Sequence, residues 1–273
     1  MEPLFCIIEF MIGIFDSGIG GMTVAKALRE EMPHTSIVYF GDTAHLPYGD
    51  KSPASIRHYA ARITMWLLQQ KIDALVIACN TASSLAHDLV QDICGPKIPV
   101  INVIDPVVEH VSTHIAKAKI GVIGTKGTIE SGVYPSKLQK ANPDLNVIAK
   151  ATPLLAPMIE EGYFDNSISQ AVIHDYLKDA EFNDLDALIL GCTHYPLIQE
   201  EVNAFFNQRV QVIDSPKIVA QRVSTLLEKA GKLEDSGQAS YRCCVSDYTK
   251  SFEESTRIFF SESIELEENR IWD

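Results

Sequence analysis

Apolar residues in this chain come in short unbroken runs that stop abruptly at a glycine, a cysteine or a hydrogen-bonding side chain. Asp186-Ala187-Leu188-Ile189-Leu190-Gly191-Cys192-Thr193-His194-Tyr195-Pro196 is the fullest example, and it reads as a buried strand delivering polar groups at its end. Asp73-Ala74-Leu75-Val76-Ile77-Ala78-Cys79-Asn80-Thr81 has the same order, with its cysteine 192 − 79 = 113 residues earlier. A lone buried cysteine is ordinarily a small hydrophobe. Two in matched runs, both where a strand hands over to a loop, stand where open parallel sheets place ligand-binding groups.

The same reading extends along the chain. Met11–Phe15 is a short buried strand, Asp16-Ser17-Gly18-Ile19-Gly20-Gly21 a glycine-rich turn, and about Met22 to Glu31 a helix. Glycines there let the backbone approach a small anionic ligand, although the spacing is neither a P-loop nor a dinucleotide fingerprint. Ser36–Phe40 is a second strand, followed by a polar loop at 41–49 that is long for a plain connection. Ile56, Tyr59, Ile63 and Leu67 fall at helical spacing within Ser55–Gln70, and a further helix runs through Ala86 and Val90.

The plan then restarts. Ile120-Gly121-Val122-Ile123-Gly124-Thr125 matches Ile12-Gly13-Ile14-Phe15-Asp16-Ser17 at 120 − 12 = 108, and Val212-Ile213-Asp214-Ser215-Pro216 echoes Val103-Ile104-Asp105-Pro106 at 214 − 105 = 109. Three echoes in one order indicate a duplicated unit. The expected fold class is α/β: two pseudo-symmetric α/β domains with mostly parallel sheets and the active site in the cleft between them. The expected division is 1–104 plus 214–273 for the first domain and 105–213 for the second. The tail supplies a helix at about Ile218–Ala230, a polar linker near 234–239, a strand Tyr241–Val245 and a last helix with Phe252, Phe259 and Phe260 on one face. The acidic stretch Glu262–Glu268 is expected to be a solvated face or frayed end.

Composition narrows the function. With 46% hydrophobic residues and a net charge of −13, the chain has the make-up of a globular protein and offers no basic run for a nucleic-acid backbone. Six cysteines without a CxxC spacing suggest neither a zinc site nor a thioredoxin-type motif, so reduced thiols in the cytoplasm are expected. The first ten residues are apolar but acidic and lack a positive n-region, which does not make a signal peptide. No apolar run reaches the roughly 18 residues of a membrane span.

Two cysteines brought to one molecule from pseudo-symmetric strand ends suit the inversion of a stereocentre, which needs one group to take a proton from one face and another to deliver one to the opposite face. A thiol with an ordinary pKa of about 8.5 reaches either role near neutrality after modest tuning. Cys79 and Cys192 would exchange base and acid roles with direction, His194 helping Cys192 and Asp16 helping Cys79. The repeat makes these helpers unequal: Gly124 stands at the position of Asp16, and Thr81 at that of His194. Backbone N–H groups beside each cysteine, with Ser17, Asn80, Thr81 and Thr193, can bind carboxylate oxygens. No lysine sits in a strand-end motif of the kind that holds pyridoxal phosphate, so a mechanism without cofactor or metal is expected. A cysteine-hydrolase reading of Cys192, His194 and Asp16 leaves Cys79 unexplained, and a purely binding protein gains nothing from two thiols facing its ligand.

At these residues the chain resembles glutamate racemase, of the aspartate/glutamate racemase superfamily. The resemblance rests on Gly13–Gly21, Pro47-Tyr48-Gly49, Ala78-Cys79-Asn80-Thr81-Ala82, Gly124–Ile129, Pro157–Gly162 and Gly191–Leu197, and it covers nearly the whole chain. It implies that Cys79 and Cys192 are the catalytic cysteines, assisted by Asp16, Glu160 and His194. It implies substrate contacts from Asp16, Ser17, Tyr48, Gly49, Asn80, Thr81, Thr193 and His194, with Thr125 and Thr128 in a motif near the site. It further implies L-/D-glutamate as the small-molecule substrate, D-glutamate supply for peptidoglycan, no cofactor, and a possible homodimer. Around Lys150–Pro157 the chain departs from the family, which commonly has a cysteine there and a bulkier residue than Ala156; this departure is expected not to touch the catalytic pair.

Overall fold

The computed structural model describes residues 10–231, 239–260 and 264–273. The N-terminal lead-in and most of the polar linker near 234–239 lie outside these residues. Strands β1 (Met11–Asp16), β2 (Ser36–Gly41), β3 (Ala74–Ile77) and β4 (Val100–Asn102) begin one sheet, and β5 (Lys119–Gly124), β6 (Asn146–Ala151), β7 (Ala187–Gly191) and β8 (Gln211–Ile213) form another. The chain then returns to the first sheet with β9 (Tyr241–Val245) and β10 (Leu266–Glu268). Strand order is β10-β9-β2-β1-β3-β4 in the first sheet and β6-β5-β7-β8 in the second, and every pairing is parallel.

The duplication is visible in that order, because β2-β1-β3-β4 and β6-β5-β7-β8 are the same arrangement. β1 and β5 both run six residues and end at the equivalent positions Asp16 and Gly124. In each sheet the chain leaves the first strand toward one side and comes back on the other, so a crevice opens at the carboxyl ends of β1 and β3, and of β5 and β7. The sequence explains why these segments are central strands: they are β-branched and aliphatic, and both faces are covered by helices.

Alternation along each strand assigns its side chains to two layers. Ile12, Ile14 and Val76 join a core with the helices Met22–Glu31, Ser215–Lys229 and Lys250–Phe260, whereas Phe15, Leu75 and Ile77 join one with Pro53–Gln69 and Asn80–Cys94. In the second sheet Leu188 and Leu190 face one core and Ala187 and Ile189 the other. Each fully buried aliphatic or aromatic side chain contributes about 1.5–3 kcal/mol. Phe259 is buried, with Phe252 and Phe260 partly buried beside it, as their shared face predicts.

Of the two readings of the acidic end, the solvated face holds, with Glu265, Glu267 and Glu268 exposed, and the frayed end does not. Leu266–Glu268 pairs with Cys243–Val245 as the edge strand of the first sheet, with Leu266 buried and Arg242 Nη2 2.8 Å from Glu267 Oε2. One apolar residue and one basic partner are enough to dock a segment whose composition reads as solvated. Ile271 and Trp272 then pack partly buried against the first sheet. No helix among the described residues is long and apolar enough to cross a membrane.

Candidate active site

The carboxyl ends of β1, β3 and β7 supply the chemistry. Asp16 closes β1 and is fully buried; its Oδ2 accepts N–H bonds from Gly18 at 3.1 Å and Gly21 at 3.0 Å, folding the glycine-rich turn around the carboxylate. Gly21 permits this closeness, since a Cβ there would lie 2.5 Å from the Asp16 Cβ. The other oxygen, Oδ1, is buried without a partner. Cys79 follows β3 and caps the helix Asn80–Cys94, its sulfur accepting the Ala82 N–H at 3.4 Å. Cys192 follows β7, with its Sγ 3.6 Å from His194 Nδ1.

His194 is tied to both halves of the molecule. Its Nε2 lies 2.9 Å from Glu160 Oε1, an ion pair by distance whose angle falls outside the hydrogen-bonding range. On the other side its ring rests on Gly20, where a Cβ would come within 2.3 Å of ring carbon Cε1. The Thr23 hydroxyl donates to the Thr193 carbonyl at 3.0 Å, fastening the loop after β7 to the helix after β1.

Between the two sheets these groups enclose a small space. Ser17, Tyr48, Gly49, Cys79, Asn80 and Thr81 line it from the first sheet's loops, and Thr125, Glu160, Cys192, Thr193 and His194 from the second's. Leu46, Pro47, Gly191 and Ala156 complete the wall. Ala156 borders the same space as both thiols. Its volume is about 30 Å³, room for a water molecule or two. A larger hollow of about 520 Å³, bordered by Lys26, Glu30, Leu197 and Phe259, holds neither thiol.

The halves meet closely around this space. A Cβ on Gly49 would lie 2.8 Å from Thr125 Cβ, and one on Gly127 2.9 Å from Thr81 Cγ2. The hydroxyls of Thr81, Thr125 and Thr128 form a triangle across the seam, with sides of 2.8, 3.1 and 3.3 Å. Asn80 is oriented by the Tyr134 hydroxyl, which donates to its Oδ1 at 2.8 Å.

Two residues in the expected set do not line the space: Asp16 is buried within the glycine-rich turn, and the Thr128 hydroxyl hydrogen-bonds those of Thr81 and Thr125. Tyr48 lines it but turns its hydroxyl away, donating to Asp42 at 2.7 Å. Asp42 and Tyr134 were not singled out from the sequence; Asp42's place in the long polar loop at 41–49 was the available signal. Among the described residues no group of three or more His, Cys, Asp or Glu side chains is arranged to share a metal ion.

Burial sets the protonation states. It raises the Asp16 carboxyl above the ordinary carboxylate value, against the opposing charge of His194 and the N–H bonds of the turn. Burial, with the charge of Asp16 acting in the same direction, pushes the Cys79 thiol up to about 12 against the Ala82 N–H and the Ser17 hydroxyl. For His194 burial alone would lower the value, but Cys192 and Glu160 outweigh it and hold the imidazole well above its usual range.

A carboxyl raised in the folded state costs stability above its ordinary pKa of 3.8 and costs nothing below it. Asp16→Asn is therefore expected to raise the melting temperature by roughly 2–6 °C near pH 7.5. The gain should fade as the pH falls toward 4. Calorimetry across that range checks it; a gain independent of pH would mean that the buried charge is not its source.

Comparison with known proteins places this geometry. The Asp/Glu/Hydantoin racemase family model matches residues 22–223. The chain belongs to that family. A curated glutamate racemase from Chlorobaculum parvum is 40% identical over 249 residues, 91% of each chain, and one from Thermus thermophilus is 44% identical over 230 residues, 83% of each. The crystal structure of glutamate racemase from Francisella tularensis in complex with D-glutamate superposes with a TM-score of 0.91 at 37% identity, covering 97% of this chain and 98% of that one. Membership makes the chain a racemase, an isomerase, and these relatives are glutamate racemases.

Proposed function

We propose that the chain interconverts L- and D-glutamate by a two-base mechanism, with Cys79 and Cys192 on opposite faces of the α-carbon. The observation that carries this reading is that two thiols, at equivalent strand ends of two parallel sheets, border one closed space and are served by different titratable groups. The substrate comes from the relatives, which are named as glutamate racemases, one of them solved with D-glutamate.

In one direction the Cys192 thiolate removes the α-proton and the Cys79 thiol delivers one to the opposite face; in the other the roles exchange. Cys79 is held as a thiol at rest, which readies it as the acid. Before acting as base it must surrender its proton, and the Asp16 carboxylate, which burial makes a stronger base than an ordinary carboxylate, is the acceptor on that side. His194 is held protonated 3.6 Å from Cys192 and can return a proton to that sulfur. Glu160 keeps the imidazole charged.

The N-terminus of the helix Asn80–Cys94, with the hydroxyls of Ser17, Thr81, Thr125 and Thr193, offers donors for the substrate carboxylates. Glutamate exceeds a space of about 30 Å³, so its binding requires the lining residues to shift. In this reading residues 1–104 with 214–273 form one domain and 105–213 the other. Resemblance to the family adds D-glutamate supply for peptidoglycan, a cytoplasmic location and a homodimer.

The test is incubation of purified protein with L-glutamate in D₂O, without pyridoxal phosphate or metal. Circular dichroism should decay to zero while deuterium enters the α-position. Turnover that appears only with pyridoxal phosphate, or disappears on chelation, would sink the cofactor-free mechanism.

A further inference from the structure

Outside the thiol site, the most heavily bonded carboxylate among the described residues belongs to Asp42, which no step of the mechanism uses. It is fully buried just after β2, at the start of the loop that carries Tyr48 and Gly49 to the substrate space. Its Oδ2 accepts the Tyr48 hydroxyl at 2.7 Å and lies 3.0 Å from His45 Nδ1. Its Oδ1 accepts the Ser246 hydroxyl at 2.7 Å and the indole N–H of Trp272 at 3.0 Å. The loop and the C-terminal end of the chain thus share one buried hydrogen-bonding side chain.

The contacts around Trp272 are those of a docked side chain. Its ring meets His45 edge-on at 4.5 Å and Tyr59 at 5.5 Å, and the Arg62 guanidinium stands 5.9 Å over it. Arg62 also donates to the Ile271 carbonyl. His45 in turn stacks on Tyr59 at 4.1 Å, so the loop is gripped between the helix Pro53–Gln69 and the chain end. At the far end of the same loop Gly49 abuts Thr125 of the opposite half, which makes the loop's position part of the closed site.

We infer that Trp272 is a positioning residue for substrate binding: its indole N–H, through Asp42, fixes the loop at 42–49 and hence where Tyr48 and Gly49 stand. A buried carboxylate that loses one of four donors still has three, so the fold should survive while the loop gains freedom. Because the loop lines the space and holds neither thiol, the loss falls on binding and leaves proton transfer in place.

This inference rests on glutamate as the substrate, and the experiment separates the two. Trp272→Phe keeps the ring against Tyr59 and His45 and removes only the N–H. Two readouts are needed. Hydrogen exchange requires no ligand: amides at 43–49 should exchange faster in the variant, with those of β1 and β3 unchanged. In the racemase assay KM for glutamate should rise roughly three- to tenfold, with kcat within about twofold. Unchanged exchange at 43–49, or a lowered melting temperature with KM unaltered, overturns the positioning role. If the unaltered protein fails to racemise glutamate, the substrate assignment falls, and hydrogen exchange alone still decides whether Trp272 fixes the loop.

Discussion

Cys79→Ser and Cys192→Ser are each expected to lose racemase activity by at least roughly a thousandfold, because a serine hydroxyl at neutral pH is too weak an acid and base to replace a thiol. Each variant nonetheless retains one working face. Supplied with a glutamate analogue bearing a leaving group at the β-carbon, a single remaining base can remove the α-proton and expel that group, with no need for the second thiol. The two variants should therefore eliminate from opposite enantiomers. The structure gives each its own helper: Cys79 feels the charge of Asp16, and Cys192 lies 3.6 Å from His194. Chiral chromatography of the residual analogue reads the outcome. The same preference in both variants, or full racemisation by either, would show that the thiols do not flank the substrate.

The second large effect is steric. Gly20→Ala places a methyl group 2.3–2.7 Å from three atoms of the His194 ring, a contact that real Cβ atoms do not make, so the ring must move. Movement breaks the 3.6 Å approach to Cys192 and the 2.9 Å pair with Glu160 together. A displacement of this size should lower kcat about a hundredfold. Elimination by the Cys79 side should survive, which distinguishes a misplaced His194 from general collapse. Rates within twofold of the unaltered protein would mean that His194 is not held by the glycine-rich turn.

The sequence carried the duplicated strands because each is a local signal. Asp-Ala followed by aliphatic residues and a cysteine needs only the burial of a short parallel strand to be recognised, and β3 and β7 fall on those two runs. The same locality made Asp16 and Gly124 legible as equivalent strand ends. Glu160 has no such signature. It ends the short helix Leu155–Glu160 and reaches His194 from 34 positions away, 194 − 160, so only the family resemblance named it. Asp42 and Trp272 are 230 residues apart, a separation at which no periodicity links them. The acidic end was legible as a solvated face but not as an edge strand, because its charges dominate the pattern, while one leucine and an arginine on the neighbouring strand decide where it lies.

The unequal helpers meet a thermodynamic constraint. In the proposed mechanism Asp16 serves one face and the His194–Glu160 pair the other, and the repeat leaves Gly124 and Thr81 where a symmetric site would duplicate them. Mirror-image substrates have identical free energies in water, so for any glutamate racemase the specificity constant kcat/KM must be equal in the two directions. An asymmetric site cannot prefer one product at equilibrium. What it can do is divide that common constant differently: the enantiomer held more weakly must turn over faster in the same proportion. The imbalance between the two halves is thus visible only at saturation, where the enzyme's two maximal velocities part company.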